Sequence, residues 1–238
     1  HGLTASTSLT ELAPVATTLT ADQVAALLDT NFGPIGLAEL RASTGATGAG
    51  VKIAIVDSGI DPGHPDLQRT PSGGRKIVDW KDFTTEGQVN LTQAVSPGDT
   101  YTAPDGRTYA LPDLPAGAAV RFGYWEESRV SGRINRDLNR NGSPVDKFGV
   151  LAVAVGGSGF DRVWVDTDDD RSFRDEAPLR VYRASGDTQR LGPFRTGQAA
   201  EAQLSFVLAD IDPAGNWVSF GFDSLGHGTQ AAGVAAAS

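Results

Sequence analysis

The sequence contains no cysteine and no methionine among its 238 residues, and it has only 3 histidines. The absence of cysteine excludes disulfide bonds, thiolate metal sites and a cysteine nucleophile. No run of about 18 apolar residues occurs, so the sequence predicts no membrane-spanning helix. Neither a start methionine nor a signal peptide is visible, and we expect any targeting segment to have been removed from the sequence or left out of it.

Basic residues are also scarce. The 20 Lys and Arg stand against 29 Asp and Glu, which gives a formal net charge of −9. Because the chain has no basic patch, we expect no binding to nucleic acid. An acidic surface is compatible with calcium binding and with an extracellular location. The apolar fraction of 39% predicts a globular chain of one large domain or two small ones.

The first motif, residues 51–67 (VKIAIVDSGIDPGHPDL), has an aspartate at the end of an apolar run. Residues 52–56 are rich in β-branched side chains, which predicts a strand buried in a parallel sheet. Asp57 follows at the carboxyl end of this strand, where ligands and chemistry gather in open α/β sheets. The structural alternative is an aspartate that caps a strand before a Ser-Gly turn.

The second motif, residues 226–233 (GHGTQAAG), has a histidine at the start of a predicted helix of small residues. The dipole at this end of a helix favours the neutral imidazole of His227, which is the form a general base needs. Asp57 and His227 are therefore candidates for two of the three side chains of a Ser-His-Asp triad. For a lone histidine, a structural role beside a tight turn is the alternative.

Together the two motifs resemble the Asp box and the His box of the subtilisin-like serine peptidases, the subtilases. Residues 56–61 and 64–67 resemble the family patterns apolar-apolar-D-[ST]-G-[IV]-D and H-P-D-L. Residues 227–233 resemble H-G-T-x-[VA]-A-G. Gln230 departs from the pattern, because relatives usually carry a second histidine there. The chain order, Asp before His, is also that of the family.

The resemblance implies a role for each residue of the pair. Asp57 would accept a hydrogen bond from one ring nitrogen of His227 and fix its tautomer. His227 would take the proton of a nucleophilic serine and return it to the leaving amine. His64 has no proton-transfer role in the Asp box, and we expect it to pack within its loop.

The serine itself is the missing part. The family's Ser box, G-T-S-[MA]-[AS], has no match in the chain, and Ser238 at the last position lacks its surroundings. The region that supplies the oxyanion-binding asparagine in relatives is missing as well. We therefore expect no hydrolytic activity from this chain alone. An amino-terminal fragment of a longer peptidase is the favoured explanation, and a proteolytic product or a degenerate relative that binds without cutting remain open.

The predicted fold class is α/β, with part of a subtilisin-like catalytic domain on a parallel sheet and a β-rich insertion. The insertion is required because simple subtilases need only a few dozen residues between boxes that here lie 170 residues apart. The predicted segments are an N-terminal extension or propeptide remnant at residues 1–35, the catalytic domain at residues 36–67 and 223–238, and the insertion at residues 68–222.

Short apolar or alternating runs, separated by Gly, Pro, Asn and Asp, fill the insertion and predict an antiparallel sheet or a small sandwich. The predicted strands are residues 76–83, 120–125, 149–155, 162–165, 179–182, 203–211 and 216–222. Helices are predicted over residues 21–29, after a capping box at residues 20–23, and over residues 36–41.

The insertion is similar to the long segment that subtilases of the pyrolysin and tripeptidyl-peptidase II branch carry between their two boxes. The similar stretches are residues 76–87, 105–112, 163–182 and 216–229. From the resemblance of the two boxes we expect a subtilisin-like serine endopeptidase, whereas the resemblance of the insertion does not by itself decide between internal cleavage and the release of tripeptides. No residue of the chain can be assigned to gripping a free amino terminus.

Two acidic stretches of the insertion repeat one spacing of side-chain oxygens, 29 residues apart. Alternate oxygen ligands in a tight loop are typical of calcium sites. Three aspartates in a row, residues 168–170, would also repel one another without a cation. The first loop is defined as Asp137, Asn139, Asn141, Ser143 and Asp146, and the second loop as Asp166, Asp168, Asp170, Ser172 and Asp175.

Both loops depart from the EF-hand pattern. Arg171 stands where that pattern has glycine, and the twelfth position holds Phe148 in the first loop and Ala177 in the second. Asp175 or Glu176 could replace the twelfth ligand only with a different geometry. The alternative is a pair of solvated acidic β-turns. We expect calcium mainly at the second loop, and a site shared by both loops is a further alternative. The peptidase chemistry itself requires no cofactor.

The sequence as a whole predicts a fragment of a secreted or cell-surface serine-type peptidase that acts on proteins or peptides. Its expected partner is the missing C-terminal part of the catalytic domain. The competing function is a non-catalytic binding module that acts through the β-rich insertion, and a Ser box downstream would distinguish the two. A calcium-dependent structural adhesin is a third reading, which predicts no triad geometry.

Overall fold

A computed structural model of the chain describes residues 33–131, 136–156, 159–192 and 203–236. The chain divides into two compact units, residues 1–53 and 54–238. In the first unit, a 3-10 turn at Gly33–Ile35 leads into helix α1, Leu37–Thr44. This helix starts one residue later and ends three residues later than predicted. The predicted helix over residues 21–29 lies outside the described residues, as do the capping box at residues 20–23 and Ser238.

The second unit is built on antiparallel strands. Two four-stranded sheets have the orders β1-β10-β9-β8 and β2-β5-β6-β7, and β3 and β4 form a separate hairpin. The antiparallel sheets predicted for the insertion are confirmed. The strands are β1 Gln88–Asn90, β2 Gln93–Val95, β3 Thr100–Thr102, β4 Thr108–Ala110, β5 Ala119–Glu126, β6 Lys147–Ala154, β7 Arg162–Val165, β8 Gln189–Arg190, β9 Ser205–Ile211 and β10 Trp217–Phe222.

The helices of this unit are short. Helix α2 is Tyr182–Ser185 and helix α3 is His227–Ala236, and 3-10 turns lie at Pro65–Leu67 and Glu127–Arg129. Helix α3 begins at the histidine of the His box, as predicted. Within the described residues, no helix is both long and apolar enough to cross a membrane.

Strands β5 and β6 form the centre of the unit and pair over eight residues. Strand β6 is buried at every position except its ends, because apolar groups cover both of its faces. On one face a core joins the two sheets, where the ring of Trp125 stacks on Phe220 at 4.7 Å and meets Phe206 at 5.2 Å. On the other face a second core gathers around Tyr109 and Phe122.

Two of the strands predicted for the insertion are wrong. Residues 76–83 form no strand, since the ring of Trp80 lies against Gly221 of β10 and the segment packs on the face of that sheet. Residues 179–182 make only a single bridge, between Leu179 and Val163, before Tyr182 begins helix α2. The apolar residues of these segments gave the same sequence signal as true strands, although they form no ladder of backbone hydrogen bonds.

The predicted strand at residues 52–56 is also absent. No strand among the described residues pairs with it, and Val51, Ile53 and Val56 are 68%, 56% and 91% exposed. A parallel strand that is buried on both faces needs a neighbour on each side and helices above and below. Among the described residues, no strand includes residues 52–56, and all of these side chains except that of Ile55 are exposed.

Candidate active site

Asp57 and His227 meet although 170 residues separate them in the sequence. The ring nitrogen Nδ1 of His227 lies 2.7 Å from Oδ1 and 2.9 Å from Oδ2 of Asp57. Both distances are within the hydrogen-bond range expected of such a pair. The backbone N–H of Ser58 also donates to Oδ1 of Asp57, at 2.7 Å. The bond from Ser58 and then the bond from His227 lower the pKa of Asp57, which keeps this carboxylate ionised at neutral pH.

The two partners differ in exposure. The side chain of Asp57 is 19% exposed, whereas that of His227 is 70% exposed. Because the proton on Nδ1 is directed to Asp57, Nε2 becomes the acceptor of the ring. Among the described residues, Nε2 has no hydrogen-bond partner. It is therefore available to a group that approaches from the solvent side.

The carboxylate of Asp223, just before helix α3, organises the surroundings of this pair. Its Oδ1 accepts the hydroxyl of Ser58 at 3.1 Å and the N–H groups of Leu225 and Gly226 at 3.1 and 2.8 Å. Its Oδ2 accepts the N–H and the hydroxyl of Thr229 at 3.0 and 2.6 Å. Sequence reasoning missed Asp223, although an aspartate shortly before a predicted helix is a capping signal.

Further hydrogen bonds tie the Asp box to the first turn of α3. The N–H of Gly228 donates to the hydroxyl oxygen of Ser58 at 3.2 Å. The N–H of Asp61 donates to the hydroxyl oxygen of Thr229 at 2.7 Å. The two boxes are therefore joined by bonds in both directions, beside the bond between Asp57 and His227.

Two glycines allow the boxes to come this close. A Cβ on Gly228 would lie 1.9 Å from the carbonyl oxygen of Gly59 and 3.0 Å from Cβ of Asp57. A Cβ on Gly59 would lie 2.0 Å from the carbonyl oxygen of Phe222, and the φ of Gly59 is 128°. Backbone packs directly on backbone here, so both positions require glycine.

His64 is not part of the pair. Its Nδ1 accepts the N–H of Asp66 at 3.3 Å, and the residue caps the 3-10 turn at Pro65–Leu67. This turn buries Leu67. Among the described residues, no serine hydroxyl forms a hydrogen bond with His227, so the pair has no nucleophile within that part of the chain.

Comparison with known protein families decides the family of the chain. A model of the Subtilase family matches residues 48–238, a range that includes the residues of both boxes. The chain belongs to the subtilase family. Subtilases are serine-type peptidases, and the resemblance that the two boxes suggested is confirmed.

Curated relatives include archaeal, bacterial and plant peptidases. Pyrolysin from Pyrococcus furiosus is 36% identical to this subtilase over 220 residues, which are 81% of this chain and 15% of pyrolysin. Subtilisin from Bacillus pumilus is 50% identical over 104 residues, 38% of this chain and 37% of subtilisin. Tripeptidyl-peptidase 2 from Oryza sativa subsp. japonica is 44% identical over 52 residues, 22% of this chain and 4% of that protein. This subtilase thus spans well under half the length of each relative.

A solved structure shares the fold. The crystal structure of tripeptidyl peptidase 2 matches with a TM-score of 0.56 and 16% sequence identity, over 83% of this chain and 19% of that chain. The α/β class predicted from the sequence is confirmed by the family match and this neighbour. The pyrolysin and tripeptidyl-peptidase II branch predicted from the insertion fits the same matches.

The two acidic loops of this subtilase have the same backbone frame. Counted from the first aspartate of each loop, the fourth and sixth residues have positive φ angles. These residues are Arg140 (57°) and Gly142 (94°) in the first loop and Asp169 (56°) and Arg171 (68°) in the second. Arg171 thus takes the left-handed conformation for which sequence reasoning required glycine. The internal repeat seen in the sequence is therefore a repeat of local structure.

Side chains within the first loop hydrogen-bond to one another. The amide groups of Asn139 and Asn141 donate to Oδ2 of Asp146, the former at 2.9 Å. Glu127, which is fully buried and which sequence reasoning missed, lies behind the loop and accepts N–H groups of Leu138 and Asp146 at 2.6 and 3.1 Å. Burial raises the pKa of Glu127.

The second loop contains a buried carboxylate oxygen without a hydrogen-bond partner among the described residues. Asp166 is fully buried, and its Oδ1 has no hydrogen-bond partner among the described residues. Burial and the neighbouring carboxylate of Asp169 raise the pKa of Asp166 to about 7. Glu176, which was not among the predicted ligands, accepts the N–H and the hydroxyl of Thr167 at 2.6 and 2.7 Å beside this loop.

Carboxylate oxygens of the second loop converge in two groups. Those of Asp166, Asp168 and Glu176 lie within 4.8 Å of one another, and so do those of Asp168, Asp170 and Asp175. The structure thus brings together the four predicted aspartates. The hydroxyl of the fifth predicted residue, Ser172, accepts the N–H of Arg174 at 3.2 Å. Such a concentration of negative charge favours a divalent cation.

Proposed function

We propose that this chain supplies Asp57 and His227 of the Ser-His-Asp triad of a peptidase that hydrolyses protein or peptide substrates. The observation that carries the proposal is the bond between Nδ1 of His227 and the ionised Asp57, with Nε2 open to solvent. An exposed imidazole with a fixed tautomer and a free acceptor nitrogen is what a general base requires.

Each step of the reaction uses this arrangement. Nε2 of His227 accepts the proton of the serine hydroxyl as its oxygen bonds to the peptide carbonyl carbon. Asp57 stabilises the imidazolium that forms, and the same proton then passes from Nε2 to the leaving amine nitrogen. A water molecule then gives a proton to Nε2 as its oxygen bonds to the acyl carbon, and this proton passes to the serine oxygen as the bond between the serine and the acyl group breaks.

We propose that the serine and the oxyanion donors belong to a segment that follows residue 238, and that the chain without them is inactive. Two observations support this: no Ser box occurs in the sequence, and the stretch of the chain that matches subtilisin covers only 37% of that protein. Family membership also supports a secreted or cell-surface location, which fractionation of cells and medium tests.

Sequencing the reading frame beyond Ser238, followed by active-site labelling, tests this function. We expect a G-T-S-[MA]-[AS] box downstream, and we expect a fluorophosphonate probe to label its serine in the complete translation product. The His227→Ala variant should remain unlabelled, because its serine is not activated. A stop codon or a box without serine would contradict the proposal and favour a binding module that acts through the insertion. Equal labelling of both proteins would contradict the role of His227 as the base.

We also propose that the second acidic loop binds calcium through two groups of carboxylates that share Asp168, one with Asp166 and Glu176 and the other with Asp170 and Asp175. The support is the convergence of their oxygens together with the buried and unpartnered Oδ1 of Asp166. Hard oxygen ligands in this number suit Ca²⁺. In the first loop, hydrogen bonds from other side chains of the loop balance the charge of Asp146. We therefore propose no separate calcium ion in the first loop.

Removal of calcium should destabilise the protein. Calcium at about 100 times its dissociation constant contributes about 2.7 kcal/mol, which corresponds to a rise in Tm of about 5–10 °C for a chain of this size. Scanning calorimetry in calcium and in chelator measures this shift. The double variant Asp168→Asn, Asp170→Asn should lose most of it, whereas Asp99→Asn, whose side chain is 98% exposed, should keep it. Equal Tm values in calcium and in chelator would contradict the calcium site and support the alternative of solvated acidic β-turns.

A further inference from the structure

Asp223 is the most heavily hydrogen-bonded carboxylate beside the pair, and it contacts both boxes without touching Asp57 or His227. It is 7% exposed and accepts five hydrogen bonds. Among the described residues it forms no salt bridge, so these donors alone balance its charge. A group bound in this way on all sides has little freedom to move.

The residues that Asp223 binds are the chain neighbours of the pair. Ser58 directly follows Asp57 and donates its own N–H to that carboxylate. Gly226 directly precedes His227, and Thr229 lies in the same helical turn as the histidine. The single carboxylate of Asp223 therefore fixes the backbone on both sides of the Asp57–His227 hydrogen bond.

The chemistry requires a carboxylate rather than an amide at this position. The donors arrive at both oxygens of Asp223, with three at Oδ1 and two at Oδ2. An asparagine would direct its NH₂ group toward two or three of these donors, since its amide has only one acceptor oxygen. The helix dipole at the start of α3 also favours a negative group there.

We propose that Asp223 is a positioning residue that sets the geometry of the Asp57–His227 hydrogen bond and thereby the tautomer of His227. The expected effect of Asp223 on catalysis rests on the proposed function. Its expected effect on the tautomer of His227 does not. It predicts that loss of the Asp223 carboxylate frees the imidazole from Asp57 while the sheets of the insertion stay folded.

Nitrogen-15 NMR of the histidine ring in the 238-residue chain tests the proposal without any need for activity. In the wild type we expect the proton on Nδ1 and an acceptor signal from Nε2. In Asp223→Asn we expect a substantial Nε2–H population and the loss of the hydrogen-bonded Nδ1 proton signal. The amide signals of β5 and β6 should keep their native dispersion, which shows that the sheets of the insertion stay folded in the variant.

Asp212→Asn is the matched control. Asp212 closes the turn between β9 and β10 and accepts the N–H groups of Ala214 and Asn216, each at 3.1 Å. Its variant should keep the wild-type tautomer of His227. If Asp223→Asn also keeps it, Asp223 merely caps α3 and the proposal is overturned. If Asp223→Asn does not fold, Ser58→Ala removes the hydroxyl that donates to Asp223 and accepts the N–H of Gly228, and it decides by the same criterion.

In the complete peptidase, Asp223→Asn should lower kcat by about 10²-fold with KM unchanged, the cost of a misplaced catalytic group. The two proposals can fail separately. A wild-type protein without hydrolysis, but with the predicted change of tautomer in the variant, would refute the peptidase function only. An active enzyme in which the variant keeps both tautomer and kcat would refute the role of Asp223 only.

Discussion

Replacing Asp57 with asparagine in the complete peptidase should lower kcat by about 10⁴-fold, the loss typical of Ser-His-Asp enzymes. The amide would donate to Nδ1 of His227 instead of accepting from it. The ring proton would then reside on Nε2, the nitrogen that must accept the proton of the serine. KM should change little, because Asp57 stabilises the transition state and does not bind the substrate. Steady-state kinetics on a peptide substrate measures both parameters.

Asp66→Asn is the control for this substitution. Asp66 lies in the same box and is exposed, and among the described residues no hydrogen bond or salt bridge joins its side chain to His227. Its variant should retain wild-type kcat, while the melting temperatures of both variants stay close to that of the wild type. A loss below about tenfold in Asp57→Asn would show that Asp57 does not orient the base. An equal loss in both variants would point to a general effect of charge.

Gly228→Ala should abolish activity and destabilise the second unit by about 3 kcal/mol, near the upper end for overpacked sites. The added methyl group would lie 1.9 Å from the carbonyl oxygen of Gly59. The backbone of Gly59 cannot move away from the added methyl group, because Gly59 itself packs on the carbonyl of Phe222. Helix α3 must therefore move away from the Asp box, which breaks the bond between Asp57 and His227. Urea denaturation and a peptide assay measure the two effects.

Gly233→Ala makes the same chemical change in the same helix. A Cβ on Gly233 meets no atom within 4 Å. Alanine in a helix interior is more favourable than glycine by about 0.5–1 kcal/mol, so this variant should be slightly more stable and fully active. If Gly228→Ala behaved like Gly233→Ala, the close approach of the two boxes would not be required for the site.

Long strands in the insertion could be predicted from the sequence. Strand β7 was predicted at its observed bounds, and β5, β6, β9 and β10 within two residues, because each carries an apolar pattern of four residues or more. Strands β1 to β4 and β8 have only two or three residues each, which is too short for a pattern. Residues 76–83 have the pattern but no strand, since Trp80 packs on a sheet face.

The site was predictable to the extent that its residues lie in local motifs. Asp57 and His227 each belong to a string of several characteristic residues, and their proximity in space follows from the family fold. Asp223 carried a local capping signal, but no local pattern reveals its bond to Ser58, which is 165 residues away in the sequence. Glu176 was considered only as a substitute for the twelfth ligand, because a loop pattern based on spacing places ligands at fixed positions. Arg171 shows that such a loop can form with a residue other than glycine.

The account depends most on His227 as the general base of a peptidase. The direct test is the rate at which the complete translation product cleaves a peptide with a blocked amino terminus, with His227→Ala measured beside it. We expect cleavage by the wild type and a rate in the variant that is lower by about 10⁴-fold or more. Cleavage of the unblocked peptide alone would indicate an exopeptidase that uses the same pair. Equal rates in the wild type and the variant would contradict the account.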